Sequence, residues 1–126
     1  MIPAGLHYTR EHEWVRLDGD TATIGITDFA QDQLTDIVYV ELPEVGRKVA
    51  AGDAMVVLES VKSVADVYAP CAGEVAEVNS ALEGSPETVN DSPYDKGWLV
   101  KLKTDADLSG LMDDKGYQAF LDSQDN

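Results

Sequence analysis

Short runs of alternating apolar and polar residues dominate the chain up to about residue 103. The run HEWVRL at 12–17 alternates, an Asp-Gly-Asp turn follows, and TATIGI at 21–26 alternates again, which is the pattern of a β-hairpin. Similar runs recur between Gly and Pro turns at 37–42, 48–50, 54–59, 64–68, 74–78 and 98–103. Several short strands at this spacing predict an antiparallel sandwich or barrel.

Helical patterns occupy smaller parts of the chain. Thr27 is a good N-cap for a short helix over 28–34, which carries apolar residues on one face. Apolar residues recur at helical intervals within about 105–121, across a break at Gly116, and predict two short C-terminal helices. Residues 79–97 are rich in turn formers and predict a long ordered loop with a helical turn near 86–89. We therefore expect one mainly β domain over 1–126.

Composition narrows the function classes. The chain has 126 residues and a formal net charge of −15, which disfavours nucleic acid and anionic membranes as partners. The longest aliphatic run, 54–58, is far too short to span a bilayer. A single cysteine, Cys71, excludes an internal disulfide framework, and no Cys/His metal cluster is present. The acidity keeps the protein soluble, or it steers docking to enzymes that have basic residues around their active sites. Composition leaves both alternatives open.

One lysine stands out against this acidity. Lys62 is the only basic residue in 49–95, a segment with nine acidic residues, and lies between the two strand-like runs of VVLESVKSVADVYAP at 56–70. The pattern places its amine at the exposed apex of a hairpin over about 54–70. Such a lysine protects a sheet edge, or it is presented for covalent modification. No enzyme motif is present, so we do not expect a catalyst, and His12 is expected on the surface of a strand.

Several motifs resemble one family over nearly the whole chain. ESVKS at 59–63, DVYAP at 66–70 and GEVAEVN at 73–79 closely resemble the lipoyl-lysine region of the glycine cleavage system H protein. Segments outside that hairpin agree with it, namely YTREHEWV at 8–15, ATIGITDFAQDQL at 22–34, IVYVELPEVG at 37–46 and SPYDKGWLVKLK at 92–103. Two positions differ, since Thr35 stands where the family often has glycine and Glu11 where small polar residues are also found.

The resemblance implies a fold and a chemistry. The fold would be the barrel-sandwich hybrid of lipoyl and biotinyl carriers, with a short internal helix and C-terminal helices. Lys62 would carry lipoate in amide linkage, placed there by a lipoate-attaching enzyme. The partners would be a glycine decarboxylase with pyridoxal phosphate, an aminomethyltransferase with tetrahydrofolate, and a dihydrolipoyl dehydrogenase with FAD. The protein would be a non-catalytic carrier of the aminomethyl group of glycine, bound to no metal, in the bacterial cytoplasm or as a processed mitochondrial form.

The resemblance also implies a shelter for the loaded arm, because its cargo is open to hydrolysis in water. Glu13 matches the carboxylate expected to hold the cationic amine, and Asp66 is a second candidate; solvated strand acids remain the alternative for both. Three other functions stay open. A lipoyl domain of a 2-oxoacid dehydrogenase would not bring the HEWV and PYDKGW segments, and a biotin carrier would more often have methionines beside the lysine. A lipoyl donor would use the same lysine.

Overall fold

The computed structural model describes residues 2–124, which form nine strands and four helices. In chain order these are β1 (His7–Tyr8), β2 (Glu13–Asp18), β3 (Thr21–Ile26), α1 (Asp28–Leu34), β4 (Ile37–Glu41), β5 (Lys48–Val49), β6 (Ala54–Ser60), β7 (Val64–Tyr68), β8 (Gly73–Val78), α2 (Ala81–Gly84), α3 (Thr88–Asp91), β9 (Val100–Lys103) and α4 (Asp114–Gln124). The predicted domain over 1–126 includes Met1 and residues 125–126, which lie outside the described residues.

The strands form two antiparallel sheets that confirm the mainly β prediction. One sheet has six strands in the order β1-β2-β3-β9-β8-β5, and the other has three in the order β4-β6-β7. Buried side chains of both sheets meet in one core; Ile24 and Leu102 come from the larger sheet, and Val40 and Leu58 from the smaller one. The sheets are therefore arranged as a sandwich, without a closed barrel.

The predicted β2–β3 hairpin is present, and its packing depends on a glycine. Gly19 has a φ of 63° in the turn, where a residue without Cβ is favoured. Trp14 lies opposite Gly25 and is fully buried, with its indole N–H donating to the carbonyl of Pro93 at 2.9 Å. A Cβ at Gly25 would lie 2.6 Å from the Trp14 ring. The close approach of this indole therefore requires glycine.

Helix α1 begins as predicted. The Thr27 hydroxyl accepts a hydrogen bond from the Ala30 amide at 3.3 Å, which satisfies one of the free N–H groups of the first turn. The helix ends at Thr35, whose φ of 62° and ψ of −148° belong to a region that glycine occupies almost alone. The family often has glycine at this position. Thr35 is therefore held in a strained backbone conformation that glycine would adopt more readily.

The prediction of two C-terminal helices within 105–121 was wrong. A single helix, α4, occupies Asp114–Gln124, and the residues before it form turns. The Thr104 hydroxyl accepts from the Ala106 amide at 3.0 Å, and the Asp107 carboxylate accepts from the Ser109 amide at 2.9 Å. These local bonds compete with a helix. Met112 then pairs with Tyr8 in a β-bridge, so its backbone N–H and C=O groups bond to Tyr8 and are not available to a helix.

The loop over 79–97 is ordered, as predicted, and contains the short helices α2 and α3. The side chain of Asn90 in α3 ties this loop to the end of α1. Its Nδ2 donates to the carbonyl of Thr35 at 2.7 Å and to Oε1 of Gln31 at 3.0 Å, while its Oδ1 accepts from the Ile37 amide at 2.9 Å. The last strand is shorter than the predicted 98–103, since β9 begins at Val100.

Candidate functional site

The predicted hairpin over 54–70 is formed by β6 and β7, with Lys62 in the turn between them. The Ser60 amide donates to the Ser63 carbonyl at 2.8 Å, and the Ser60 hydroxyl accepts from the amides of Lys62 and Ser63 at 3.3 and 3.1 Å. The Val61 amide donates to the Asp36 carbonyl at 3.1 Å. The backbone of the turn is therefore held from two sides, while the Lys62 side chain lies exposed to solvent.

The Lys62 ammonium has no carboxylate partner in the described part of the chain. Within residues 2–124 the one ion pair is between Lys101 and Glu77, at 3.8 Å. The acids closest to Lys62 in sequence, Glu59 and Asp66, thus leave it free. The Lys62 side chain is therefore open to solvent and to other molecules.

A cleft of about 420 Å³ lies beside this hairpin. Strand β7 forms one wall with residues 64–68, and α1 and the segment 11–13 at the start of β2 form the other. Phe29, Leu34 and Leu58 contribute apolar surface. The cleft therefore combines apolar and polar surface and lies close to the strand that leads away from Lys62.

Glu13 provides the buried charge of the cleft. Its side chain is only 2% exposed, and its carboxylate accepts hydrogen bonds of 2.8 Å from the Thr9 hydroxyl and from the Tyr68 amide. Burial raises the pKa of Glu13 to about 7, because desolvation outweighs the two hydrogen bonds that favour the ionised form. No basic side chain pairs with this carboxylate in the described part of the chain. The arrangement suits a cationic ligand in the cleft.

The turn that precedes Glu13 orients the carboxylate of Glu13. His12 has a φ of 68°, its amide donates to the Thr9 carbonyl at 3.1 Å, and the Thr9 amide donates to the Glu13 carbonyl at 3.0 Å. Asn, Asp and His are the residues other than glycine that adopt this left-handed conformation most readily. Strand β2 therefore begins at Glu13, one residue later than predicted, and Glu13 leaves the turn with its side chain fixed by Thr9 and Tyr68.

The prediction of His12 on a strand surface was wrong, because this residue links the cleft to α4. A hydrogen bond of 2.8 Å joins its Nδ1 to the Tyr117 hydroxyl, which lies 2.7 Å from the Thr27 hydroxyl. The imidazole packs against Phe29 with ring centres 4.6 Å apart. Burial lowers the pKa of His12 and raises that of Tyr117 to about 12. His12 therefore contributes packing and a hydrogen bond in its neutral form.

Asp66, the second predicted carboxylate, lines the same cleft. It lies on β7 opposite Val57 and is exposed, unlike Glu13. The structure thus brings Glu13 and Asp66 to one cleft and leaves Lys62 above it, at the apex of the hairpin. Sequence reasoning missed the roles of Thr9, His12 and Tyr117. For Thr9 and His12 a signal was available, because both lie within four residues before Glu13 in a segment that begins with threonine.

The described residues contain no group of three or more His, Cys, Asp and Glu side chains that could hold a metal ion. Within the same residues, no helix has the length and apolar character needed to cross a membrane. Cys71 is buried, and burial raises the pKa of its thiol, as expected for a residue that packs like a small hydrophobe.

The chain is similar to known proteins of one family along nearly its whole length. The sequence model of the family described as "Glycine cleavage H-protein" matches residues 6–124. A glycine cleavage system H protein of Thermus thermophilus is 55% identical over 125 residues, covering 98% of both chains. One from Phenylobacterium zucineum is 58% identical over 118 residues, covering 92% of this chain and 98% of that protein. The crystal structure of a glycine cleavage system H protein from Mycobacterium marinum superposes with a TM-score of 0.86 at 35% identity, covering 99% of this chain and 100% of that one.

Proposed function

Because the chain belongs to the glycine cleavage H-protein family, we propose that Lys62 is the residue that bears its lipoyl group. The protein is a lipoyl carrier of the glycine cleavage system, and it moves the aminomethyl group of glycine between the enzymes of that system. The observation that supports Lys62 is its position: it is exposed at the apex of the β6–β7 hairpin, forms no ion pair with a described carboxylate, and is the only basic residue in 49–95.

The residues around Lys62 fit an attached acyl arm. Strand β7 has five residues and spans roughly 13 Å, so the four-carbon stem of lysine is too short to reach Glu13 at its far end. An acyl extension on Nζ would cover that distance. The cleft along β7 offers Leu58, Phe29 and Leu34 to an apolar chain, and Glu13 to a cation at its end. Lipoate supplies thiol–disulfide chemistry when it is bound.

Glu13 is proposed to hold the cargo amine between visits to the enzymes. The carboxylate is buried, already oriented by Thr9 and Tyr68, and without a cationic partner among residues 2–124, so an ammonium that enters the cleft would complete a charge-assisted pair. The apolar side chains of the cleft would reduce the access of the water that hydrolyses the cargo. Asp66, which is exposed on the rim, would add long-range attraction and less binding energy.

The remaining partners follow from the function. The carrier would deliver its arm to a glycine decarboxylase with pyridoxal phosphate, to an aminomethyltransferase with tetrahydrofolate, and to a dihydrolipoyl dehydrogenase with FAD. It would act as a non-catalytic substrate of all three in the bacterial cytoplasm. Its own physical contribution is tethering, because a cargo attached to a docked protein is present at high effective concentration near the next active site.

Reconstitution with the three purified enzymes tests this function. The wild-type chain, loaded with lipoate, is expected to support glycine-dependent release of carbon dioxide, and Lys62→Arg is expected to abolish it while leaving the fold unchanged. Glu13→Gln is expected to load normally and to lose its cargo faster in water. Full activity of Lys62→Arg would contradict the assignment. Lipoyl transfer to a second apo-carrier without any glycine-dependent loading would instead support the donor function.

A further inference from the structure

Exposed apolar side chains are concentrated near Lys62. Large apolar residues with high exposure, from 42% to 67%, occur at six positions in residues 2–124: Leu17, Val38, Tyr39, Val45, Val61 and Val64. Val61 and Val64 belong to the Lys62 turn or adjoin it, and Val38 and Tyr39 lie on β4, which pairs with β6. Clustered exposed apolar surface on an otherwise acidic protein is typical of an interaction site.

A β-bulge in β4 exposes two consecutive apolar residues. The pairing register shifts between Ile37, opposite Ser60, and Tyr39, opposite Glu59, so Val38 is the extra residue. Successive residues of a regular strand face opposite sides, whereas here Val38 and Tyr39 are both about half exposed. The Val61 amide bonds to the Asp36 carbonyl, which places this bulge next to the Lys62 turn. Residues Val38, Tyr39 and Val61 are called the β4 flank below.

The β4 flank and the cleft lie on different sides of the hairpin. Strand β6 is the central strand of the order β4-β6-β7, and the cleft is lined by β7. Val64, the fourth exposed residue near Lys62, belongs to the cleft lining, whereas no residue of β4 does. A protein bound to the β4 flank would therefore reach Lys62 without covering the cleft.

Charge indicates what kind of partner fits. Asp36 and Glu41 border the bulge along the chain, and Glu59 pairs with Tyr39 across the strands. The segment 17–46 contains no lysine or arginine. An apolar centre with an acidic border is complementary to an apolar depression ringed by basic side chains, and such complementarity accelerates association and fixes orientation.

We propose that the β4 flank, with its border of Asp36, Glu41 and Glu59, is the docking surface for the enzyme that attaches the lipoyl group, through an apolar surface rimmed by Lys and Arg on that enzyme. The proposal rests on the assignment of Lys62 as the modified residue. The attaching enzyme is the partner chosen because it meets the chain before any arm is present. Its affinity must therefore come from the protein surface around Lys62, whereas later enzymes also bind the arm.

In the attachment step, the neutral Nζ of Lys62 forms an amide bond with the activated carboxyl carbon of the lipoyl donor. The leaving group of the donor departs, and the nitrogen releases a proton to solvent. The β4 flank takes no part in these bonds. It contributes to encounter and orientation, so its loss should raise KM and leave the maximal rate nearly unchanged.

The test is the rate of lipoylation of the full-length apo chain by a purified lipoate-attaching enzyme, followed by intact mass. The double variant Val38→Ser with Tyr39→Ser is compared with the control Leu17→Ser with Val45→Ser, which removes two exposed apolar residues away from Lys62. The β4 variant is expected to lower kcat/KM by about tenfold or more through KM, as loss of an aromatic contact at an interface centre does. The control should stay within about twofold.

Charge gives a second, independent measurement. Asp36→Lys is expected to lower kcat/KM and to weaken its dependence on salt, whereas Asp20→Lys, an exposed acid on the β2–β3 turn, should change neither. Thermal unfolding of each variant shows that the fold is retained. Lipoylation of the β4 variants at the wild-type kcat/KM would overturn the docking surface alone. Failure of the wild-type chain to be lipoylated at Lys62 would overturn the assignment, and the docking surface with it.

Discussion

Glu13→Gln tests the physical basis of the cleft. Glutamine keeps the size of the side chain and an oxygen that accepts from the Tyr68 amide, but it cannot ionise. Burial raises the pKa of Glu13 from an ordinary value of 4.5 to about 7. Each pKa unit corresponds to about 1.4 kcal/mol, so ionisation of this buried group costs the folded state ~3 kcal/mol.

The sign of the effect follows from proton linkage. The folded protein holds the Glu13 proton more tightly than the unfolded chain does, so this stabilising contribution is complete below about pH 4.5 and is lost as pH rises through about 7. Glu13→Gln keeps it at every pH. The variant should therefore exceed the wild type by only ~1 kcal/mol near pH 5 and by ~3 kcal/mol at pH 8.

The assay is urea unfolding of both proteins at several pH values between 5 and 8.5, with the free energy of unfolding obtained by linear extrapolation. Other titratable groups are common to both chains, so their contributions cancel in the difference. Glu74→Gln, which alters an exposed carboxylate on β8, is the matched control and should leave the pH dependence unchanged. A constant difference between Glu13→Gln and the wild type across this range would refute the reasoning.

Three further substitutions test the local geometry through the thermal midpoint and urea unfolding. Thr35→Gly relieves a backbone conformation suited to glycine and should stabilise the fold by ~1 kcal/mol; a destabilised variant would show that the conformation is not strained. Gly25→Ala forces a Cβ into the Trp14 ring and should cost ~1–3 kcal/mol, whereas Gly84→Ala, where a Cβ meets open space, should be neutral or stabilising; equal effects would contradict the packing. Tyr117→Phe removes a hydroxyl with two hydrogen-bond partners and should cost ~1–3 kcal/mol, and no loss would mean that these bonds contribute nothing.

The sequence predicted strands and the lysine hairpin well because their signals are local. Period-two alternation and Gly or Pro turns identified β2, β3, β6 and β7 nearly to their ends, and the single lysine in an acidic segment identified the apex. The prediction of two helices in the C-terminal segment was wrong for a physical reason as well. Apolar spacing over 105–121 suits a helix, but Thr104 and Asp107 bond to nearby amides, and Met112 pairs with Tyr8, a contact far away in sequence.

The cleft could be predicted only in part for a related reason. Resemblance identified Glu13 and Asp66 as acids, but their shared location depends on how β2, β7 and α1 meet. The link from His12 to Tyr117 spans 105 residues, and no periodicity reports such a contact. Nor does any pattern reveal that Glu13 is buried with no basic partner among the described residues, which is the observation on which its proposed role in holding a cationic cargo rests.

The most direct measurement of the central claim is the intact mass of the protein from lipoate-replete cells, followed by fragmentation to locate any adduct. We expect one lipoyl group per chain, confined to Lys62, and none on a Lys62→Arg chain produced in the same cells. An unmodified Lys62, a lipoyl group on another lysine, or biotin in its place would contradict the account.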